Sequence, residues 1–110
     1  MSTPAPNEAL AELISVIGED DTKDLVRTFL NDFPPMIRQL SAGEIETKRR
    51  TVHSLKSTAR HMGALALSRR MAFFETKLAQ ADADLSSADI TVIVEEFEKA
   101  AVTLRAYLGR

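Results

Sequence analysis

The spacing of apolar residues predicts a chain built from helices. Apolar side chains recur at steps of three and four residues in five separate segments, which is the period of one helix face. The first predicted helix covers about 7–17. The second is capped by Asp20 or Asp21 and closes at 41–43, and the last three cover about 44–62, 65–81 and 88–108. No segment alternates apolar and polar residues convincingly, so we predict no β-sheet.

The inward-facing positions define a predicted core. In chain order they are Leu10, Leu13, Ile14 and Ile17; Val26, Phe29, Phe33, Met36 and Leu40; Ile45, Val52, Leu55, Ala59 and Met62; Ala64, Leu67, Met71, Phe74, Leu78 and Ala81; and Ile90, Val94, Phe97, Ala101, Leu104 and Leu108. Such stripes, joined by short connections, are typical of antiparallel helical bundles. We therefore predict an all-α fold, an antiparallel four-helix bundle with an additional short N-terminal helix.

Glycine and proline mark the expected boundaries of these helices. Gly18 is the predicted stop of the first helix, and Gly63 ends or turns the third. Pro34-Pro35 removes two backbone donors and crowds the preceding turn, so we predict a kink or a short break there. The apolar phase continues across the prolines, which favours one bent helix over two separate ones.

Length and composition indicate one domain and exclude several kinds of chemistry. A chain of 110 residues has room for one core, and we predict a flexible N-terminal tail at 1–6 and a single helical domain at 7–110. There is no cysteine, which excludes a disulfide framework, a thiol nucleophile and a zinc–thiolate site. We see neither a signal peptide nor an apolar run of about 20 residues, so we expect a cytoplasmic protein with no membrane partner.

The net charge of −2 conceals a strong asymmetry. The segment from Lys48 to Arg70 contains no acidic residue, whereas the remaining chain carries all 16 acidic residues. The basic residues of that segment are Lys48, Arg49, Arg50, Lys56, Arg60, Arg69 and Arg70. Such a cluster is often only a solvated helix face, but it can also attract an anionic partner or a phosphoryl group.

His53 lies inside this basic segment, and its helical neighbours suggest a function. A helix turns by about 100° per residue, which places Arg49, His53, Lys56, Ser57 and Arg60 in one band, away from the apolar face. An imidazole in such a setting is suited to handling phosphate. His61 is rotated towards solvent, lies too far along the helix to share a metal ion with His53, and is expected to have no role.

The run His53-x-Leu55-Lys56-Ser57-Thr58, followed by Gly63-Ala64, resembles the histidine-containing phosphotransfer (HPt) domains of bacterial two-component phosphorelays. The resemblance covers most of the chain, and the run from Phe29 to Pro34 is similar to the second helix of that family. It implies that His53 is the phosphorylated histidine, that Lys56 assists it, and that Gly63 closes the helix. Ser57 stands where the family usually has glycine, and like glycine it is small.

The resemblance also implies a mechanism and a set of partners. A neutral imidazole nitrogen attacks the phosphorus of an aspartyl phosphate, and phosphoryl transfer needs mainly positioning and charge stabilisation. The partners would be response-regulator receiver domains and a hybrid histidine kinase, with Mg²⁺ on the receiver and no cofactor here. The chain would be a monomeric phosphoryl carrier without turnover of its own. We predict partner contacts at Arg49, Ser57, Arg60 and, from the flanking helix, Phe33.

Three other classes of protein compete with this assignment. The chain has no glycine-rich nucleotide-binding region and no room for a kinase domain, and Ser54 replaces the acidic residue typical of a kinase dimerisation hairpin. A helical adaptor that binds a kinase or receiver without phosphorylation would share the fold and the face. Nucleic-acid binding is disfavoured, because the rest of the chain is acidic and aromatic residues do not alternate with basic ones.

Overall fold

The computed structural model describes residues 5–109, and within this range the chain folds into helices without strands. The helices are α1 (Glu8–Ile17), α2 (Glu19–Ala42), α3 (Ile45–His61), α4 (Leu65–Leu78) and α5 (Ser87–Leu108). The predicted fold class is therefore confirmed. Of the predicted tail, residues 1–4 lie outside the described range, whereas Ala5 packs against the core.

Four of the helices form a closed ring. Each helix from α2 to α5 packs against the next, and α5 packs back against α2, with the most extensive contact between α3 and α4. The connections within this ring are short, so successive helices run antiparallel. The short helix α1 packs across α2 and α3. The structure is thus a four-helix bundle with one additional N-terminal helix.

Most predicted core positions are buried, but α1, α4 and α5 differ in detail. Of the four positions predicted in α1 only Leu10 is buried, and Ile17 is 37 % exposed. Leu67, Met71, Phe74 and Leu78 are buried, whereas Ala81 is exposed because α4 ends at Leu78. In α5 the buried set includes Ile93 and Tyr107, while Ile90, Val94 and Leu108 are only half-buried. Because α5 packs against both α2 and α4, it presents a wider arc to the core than a single stripe of residues predicts.

The start and the middle of α2 also correct the predictions. Neither Asp20 nor Asp21 caps the helix. Gly18, at a φ of 90°, is the cap residue of both helices, and α2 begins at Glu19. Both prolines lie inside α2, which continues from Glu19 to Ala42, so the short break is absent. The apolar phase that continues across the prolines explains this, because Phe33 and Leu40 on either side are both buried in the core.

Phe33 belongs to an aromatic cluster inside the bundle. Its ring lies 3.7 Å from that of Phe97, centroid to centroid and nearly parallel, and Phe29 packs against both rings. The side chain of Phe33 is only 2 % exposed. The prediction that Phe33 is presented to a partner was therefore wrong, because the inward face of α2 buries it against α5.

The turn after α3 requires a glycine. The amide of Gly63 donates to the carbonyl of Arg60 (3.0 Å) and that of Ala64 to the carbonyl of Ala59 (2.9 Å), which is the Schellman arrangement. Gly63 has a φ of 75°, a left-handed conformation that side chains rarely adopt. The sequence prediction that Gly63 ends α3 is thus confirmed, and the turn sets how α4 packs against α3.

Candidate functional site

His53 projects from α3 into solvent, where a carboxylate from α4 holds its ring. The His53 side chain is 66 % exposed, and its Nδ1 lies 2.6 Å from Oε2 of Glu75. The second oxygen of that carboxylate, Oε1, accepts a hydrogen bond of 2.5 Å from the ammonium group of Lys56. One carboxylate therefore joins the two residues for which the sequence predicted a role in phosphate chemistry.

The packing of α3 against α4 fixes this arrangement. The hydroxyl of Ser68 donates to the carbonyl of Lys56 (2.9 Å), which ties the two backbones together beside the site. Further along, Nε of Arg49 donates to the carbonyl of Leu78 (2.7 Å), near the end of α4. These bonds bracket Glu75, so the carboxylate is held at a fixed height relative to the imidazole.

The Glu75 contact determines which nitrogen of a neutral His53 ring is free. Hydrogen bonds from Lys56 and then from His53 hold the pKa of the Glu75 carboxyl below its ordinary value, so it is ionised. An ionised carboxylate only accepts hydrogen bonds, so Nδ1 must carry the proton. In the neutral ring the lone pair then lies on Nε2, the nitrogen away from Glu75. The site therefore presents an exposed imidazole with its nucleophilic nitrogen free.

The positive field around His53 is smaller than the sequence predicted. Lys48 is buried, and its ammonium lies 2.8 Å from the carboxylate of Asp84, which itself follows α4. Arg49 pairs with Glu46, and Lys56 pairs with Glu75. These acidic partners lie in the segments before and after the basic run, and in the folded chain they lie next to it. Within residues 5–109, the basic side chains of the run without an ion pair are Arg50, Arg60, Arg69 and Arg70.

The predicted partner-binding residues other than Phe33 lie on the surface around His53. Ser57 is half-buried one turn after His53, and Arg60 is exposed almost two turns after it. Arg49 is half-buried and already engaged by Glu46 and the Leu78 carbonyl. His61, for which we predicted no role, is exposed and lines two surface grooves.

No group of three or more His, Cys, Asp or Glu residues in the range 5–109 is arranged to hold a metal ion. In the same range, no helix is long and apolar enough to cross a membrane.

Comparison with known proteins identifies the family. The family model of the Hpt domain matches residues 24–107, which include α3, α4 and nearly all of α5. The chain therefore belongs to the Hpt domain family, whose members are phosphoryl carriers in two-component signalling. No curated protein matches the chain, and no solved structure does.

Glu75 is the residue of this site that the sequence did not reveal. It lies 22 positions after His53, on a different helix, and it is an ordinary acidic residue in an acidic part of the chain. Its position in α4 contains one signal. Glu75 directly follows Phe74 of the apolar stripe, so it must lie at the edge of the buried face of α4. The sequence does not indicate that this edge lies beside His53, because that depends on how α4 packs against α3.

Proposed function

We propose that this protein is a phosphorelay intermediate that accepts a phosphoryl group on Nε2 of His53 from an aspartyl phosphate and passes it to another receiver, or runs in the reverse direction. The observation that carries the proposal is the Nδ1 contact with Glu75. An exposed histidine alone is common, whereas one whose ring is oriented by a carboxylate has a defined nucleophile. Family membership supports the same reaction.

In the proposed transfer step, His53 and Glu75 are the residues of this chain that take part directly. The lone pair of Nε2 forms the bond to phosphorus as the bond from phosphorus to the aspartyl oxygen breaks, and the receiver recovers its carboxylate. The neutral ring thereby becomes a positively charged phosphoimidazole, whose Nδ1 proton stays on the hydrogen bond to Glu75. The carboxylate thus opposes the charge that develops on the ring. The receiver supplies the Mg²⁺ in this proposal, and the carrier has no turnover of its own.

Lys56 stabilises the phosphoryl group in this scheme. Its ammonium is held by Oε1 of Glu75, one helical turn from His53, and its side chain is 31 % exposed. A cation at this position can contact an incoming phosphoryl group without a new backbone arrangement. The proposed partners are receiver domains and a hybrid histidine kinase in the cytoplasm. They would dock on the face around His53 of this protein, which we propose to be a monomer.

Labelling experiments with single-histidine variants test the proposal. Receiver domains of the source organism, phosphorylated by acetyl phosphate and Mg²⁺, would be mixed with the parent protein. The label should be acid-labile and alkali-stable, as a phosphoramidate is. His53→Gln should take up none, whereas the matched control His61→Gln should be labelled like the parent, because His61 lacks a carboxylate partner among residues 5–109.

Two outcomes would contradict the assignment. Label retained in His53→Gln would place the phosphoryl group on another residue. A parent protein that binds a phosphorylated receiver but takes no label from any of them would be the non-phosphorylated adaptor instead.

A further inference from the structure

Arg50 is an exposed basic residue one helical turn before His53. Glu46, an acidic residue one turn before Arg50, pairs with Arg49 and not with Arg50. Among residues 5–109, no acidic side chain forms an ion pair with the Arg50 guanidinium. Arg50 therefore keeps an uncompensated positive charge close to the imidazole.

The charge of Lys56, in contrast, is already shared with a carboxylate. Its ammonium donates to Oε1 of Glu75 at 2.5 Å, while Oε2 of the same group lies 2.6 Å from Nδ1 of His53. The carboxylate is ionised, so the pair of Lys56 and Glu75 adds little net positive charge beside the ring. A phosphoryl group on His53 is negatively charged, so the Glu75 carboxylate would repel it. A second cation, on another side of the ring, would therefore stabilise it further.

The helical rotation places Arg50 on the opposite side of His53 from Lys56. At about 100° per residue, Arg50 is rotated by about 60° from His53 in one direction and Lys56 by about 60° in the other. The contacts of α3 agree with this rotation, because Lys56 and Arg49 both donate to acceptors on α4. Those two side chains therefore face α4, whereas Arg50 faces away from it.

The orientation of the imidazole directs a phosphoryl group towards the Arg50 side. Nδ1 of His53 faces Glu75 and α4, and Nε2 belongs to the opposite edge of the ring. The proposed acceptor atom therefore lies on the side away from α4. Cβ atoms three positions apart on a helix are separated by about 5–6 Å, a distance that an arginine side chain can span. Its guanidinium presents paired N–H donors, which match the oxygens of a phosphoryl group.

The other unpaired cations of the basic run lie farther from His53. Arg60 is seven positions later, about 10 Å along α3, and it lines a groove beside α1. Arg69 and Arg70 belong to α4 and line a groove between α4 and α5. In this run, which the structure describes throughout, Arg50 alone combines an unpaired charge with a position one turn from His53 on the same helix.

We infer that the guanidinium of Arg50 binds the phosphoryl group on Nε2 of His53 and thereby stabilises the phosphorylated carrier. The inference rests on the proposed function, because it takes as given that His53 accepts phosphate. It adds a second cation on the side of the ring opposite to Lys56. Arg50 then raises the share of phosphoryl groups that the carrier holds at equilibrium with a receiver.

The equilibrium of phosphoryl transfer tests this contact separately from docking. A phosphorylated receiver, freed of acetyl phosphate, would be mixed with the carrier until the ratio of labelled carrier to labelled receiver is constant. The equilibrium constant relates the free proteins, so it reports the stability of phosphorylated His53 and does not depend on how tightly the receiver docks. Phosphorylated carrier mixed with unlabelled receiver should give the same value.

Three variants separate the contact from the charge. Arg50→Gln should shift the equilibrium towards the phosphorylated receiver about fivefold, because it removes an exposed charge-assisted hydrogen bond. Arg50→Lys should shift it less, because the ammonium keeps the charge but not the paired donors. Arg69→Gln is the matched control, since it removes the same charge from an exposed, unpaired arginine of α4, and it should behave like the parent. In the parent, the Nε signal of Arg50 in ¹⁵N spectra should move when His53 is phosphorylated, while that of Arg69 should not.

All three substitutions are at exposed positions, so the melting temperature should hardly change. If the parent is labelled at His53 but Arg50→Gln keeps the parental equilibrium constant, the role of Arg50 is refuted and the proposed function stands. A higher half-saturating receiver concentration at an unchanged equilibrium constant would refute it as well, because Arg50 would then act only in docking. An equal shift in Arg69→Gln would indicate a general effect of charge and overturn the inference. If no receiver labels the parent, the proposed function is refuted and the inference with it.

Discussion

Replacing Glu75 by glutamine tests how the imidazole is prepared for phosphoryl transfer. Glutamine has nearly the same shape but offers one acceptor oxygen and one NH₂ donor. Lys56 can only donate, so it retains the oxygen, and the NH₂ group then faces Nδ1 of His53. To accept this hydrogen bond, Nδ1 must lose its proton, which moves to Nε2. The substitution therefore favours the tautomer whose outer nitrogen cannot attack phosphorus.

The size of the effect follows from the exposure of the pair. A hydrogen bond to a charged group contributes about 1.5–3 kcal/mol when it is shielded from water. Here His53 is 66 % exposed and Glu75 is 32 % exposed, so solvent screening reduces this to about 1 kcal/mol. The corresponding slowing of transfer is about fivefold. Glu75→Ala lets the ring choose its tautomer freely, so its transfer rate should lie between those of the parent and Glu75→Gln.

The assay combines transfer kinetics with a direct observation of the ring. Transfer from a phosphorylated receiver would be timed under single-turnover conditions, with Glu95→Gln as a control, because Glu95 is an exposed residue of α5. Imidazole ¹⁵N shifts should show the proton on Nδ1 in the parent and on Nε2 in Glu75→Gln. Because Lys56 and then His53 hold the pKa of Glu75 below its ordinary value, the carboxylate persists wherever the ring is neutral.

The effect of the Glu75 carboxylate on transfer should therefore be present above the ordinary pKa of a glutamate and should be lost only as the pH falls through the lowered pKa of Glu75. A parent ring with its proton on Nε2, or a Glu75→Gln variant that transfers at the parent rate, would refute this account of the site.

Substitutions at three further positions, Lys56, Ser57 and Phe33, test the surroundings of the site and the core. Lys56→Ala should slow transfer or shorten the lifetime of phosphorylated His53 several-fold, and a variant with unchanged rate and lifetime would show that Lys56 is only a solvated charge. Ser57→Leu should weaken receiver binding without lowering the melting temperature, whereas Ser57→Gly should transfer normally at a cost of about 0.5 kcal/mol of stability; a bulky variant that binds like the parent would move the interface elsewhere. Phe33→Ala should lower the free energy of unfolding in urea by about 3–5 kcal/mol, because it empties the space stacked against Phe97. Phe73→Ala, at a side chain that is 64 % exposed, should change stability by less than about 0.5 kcal/mol, and equal effects of the two would contradict the burial of Phe33.

The fold could be predicted, and His53 could be proposed as the acceptor, because the signals for both are local in the sequence. Steps of three and four between apolar residues place five helices, and the structure confirms all five. The ends of α1 and α3 followed from Gly18 and Gly63, since both adopt a left-handed φ that suits glycine. His53 was singled out by neighbours within one turn of the same helix, a geometry that the helical period fixes.

The sequence predictions failed where the burial or pairing of a side chain depends on which helix packs against it. Phe33 was considered for a partner surface, but α5 covers it, and no feature near Phe33 in the sequence indicates that packing. The buried arc of α5 includes Ile93 and Tyr107 because that helix packs against two others. The positive charge of the basic run is partly neutralised, because Lys48 pairs with Asp84 and Lys56 pairs with Glu75. Both acidic residues are distant in the sequence, and only the fold places them beside the run.

The sequence by itself determined the helical bundle, the family resemblance and the choice of His53. These follow from the helical period and from residues a few positions apart. Only the tertiary structure decided the chemistry of the ring. Glu75 reaches Nδ1 because α4 returns alongside α3 at a register set by the turn at Gly63 and the bond from Ser68 to the Lys56 carbonyl. A contact between helices depends on how two faces pack, and no repeat along either helix encodes that register.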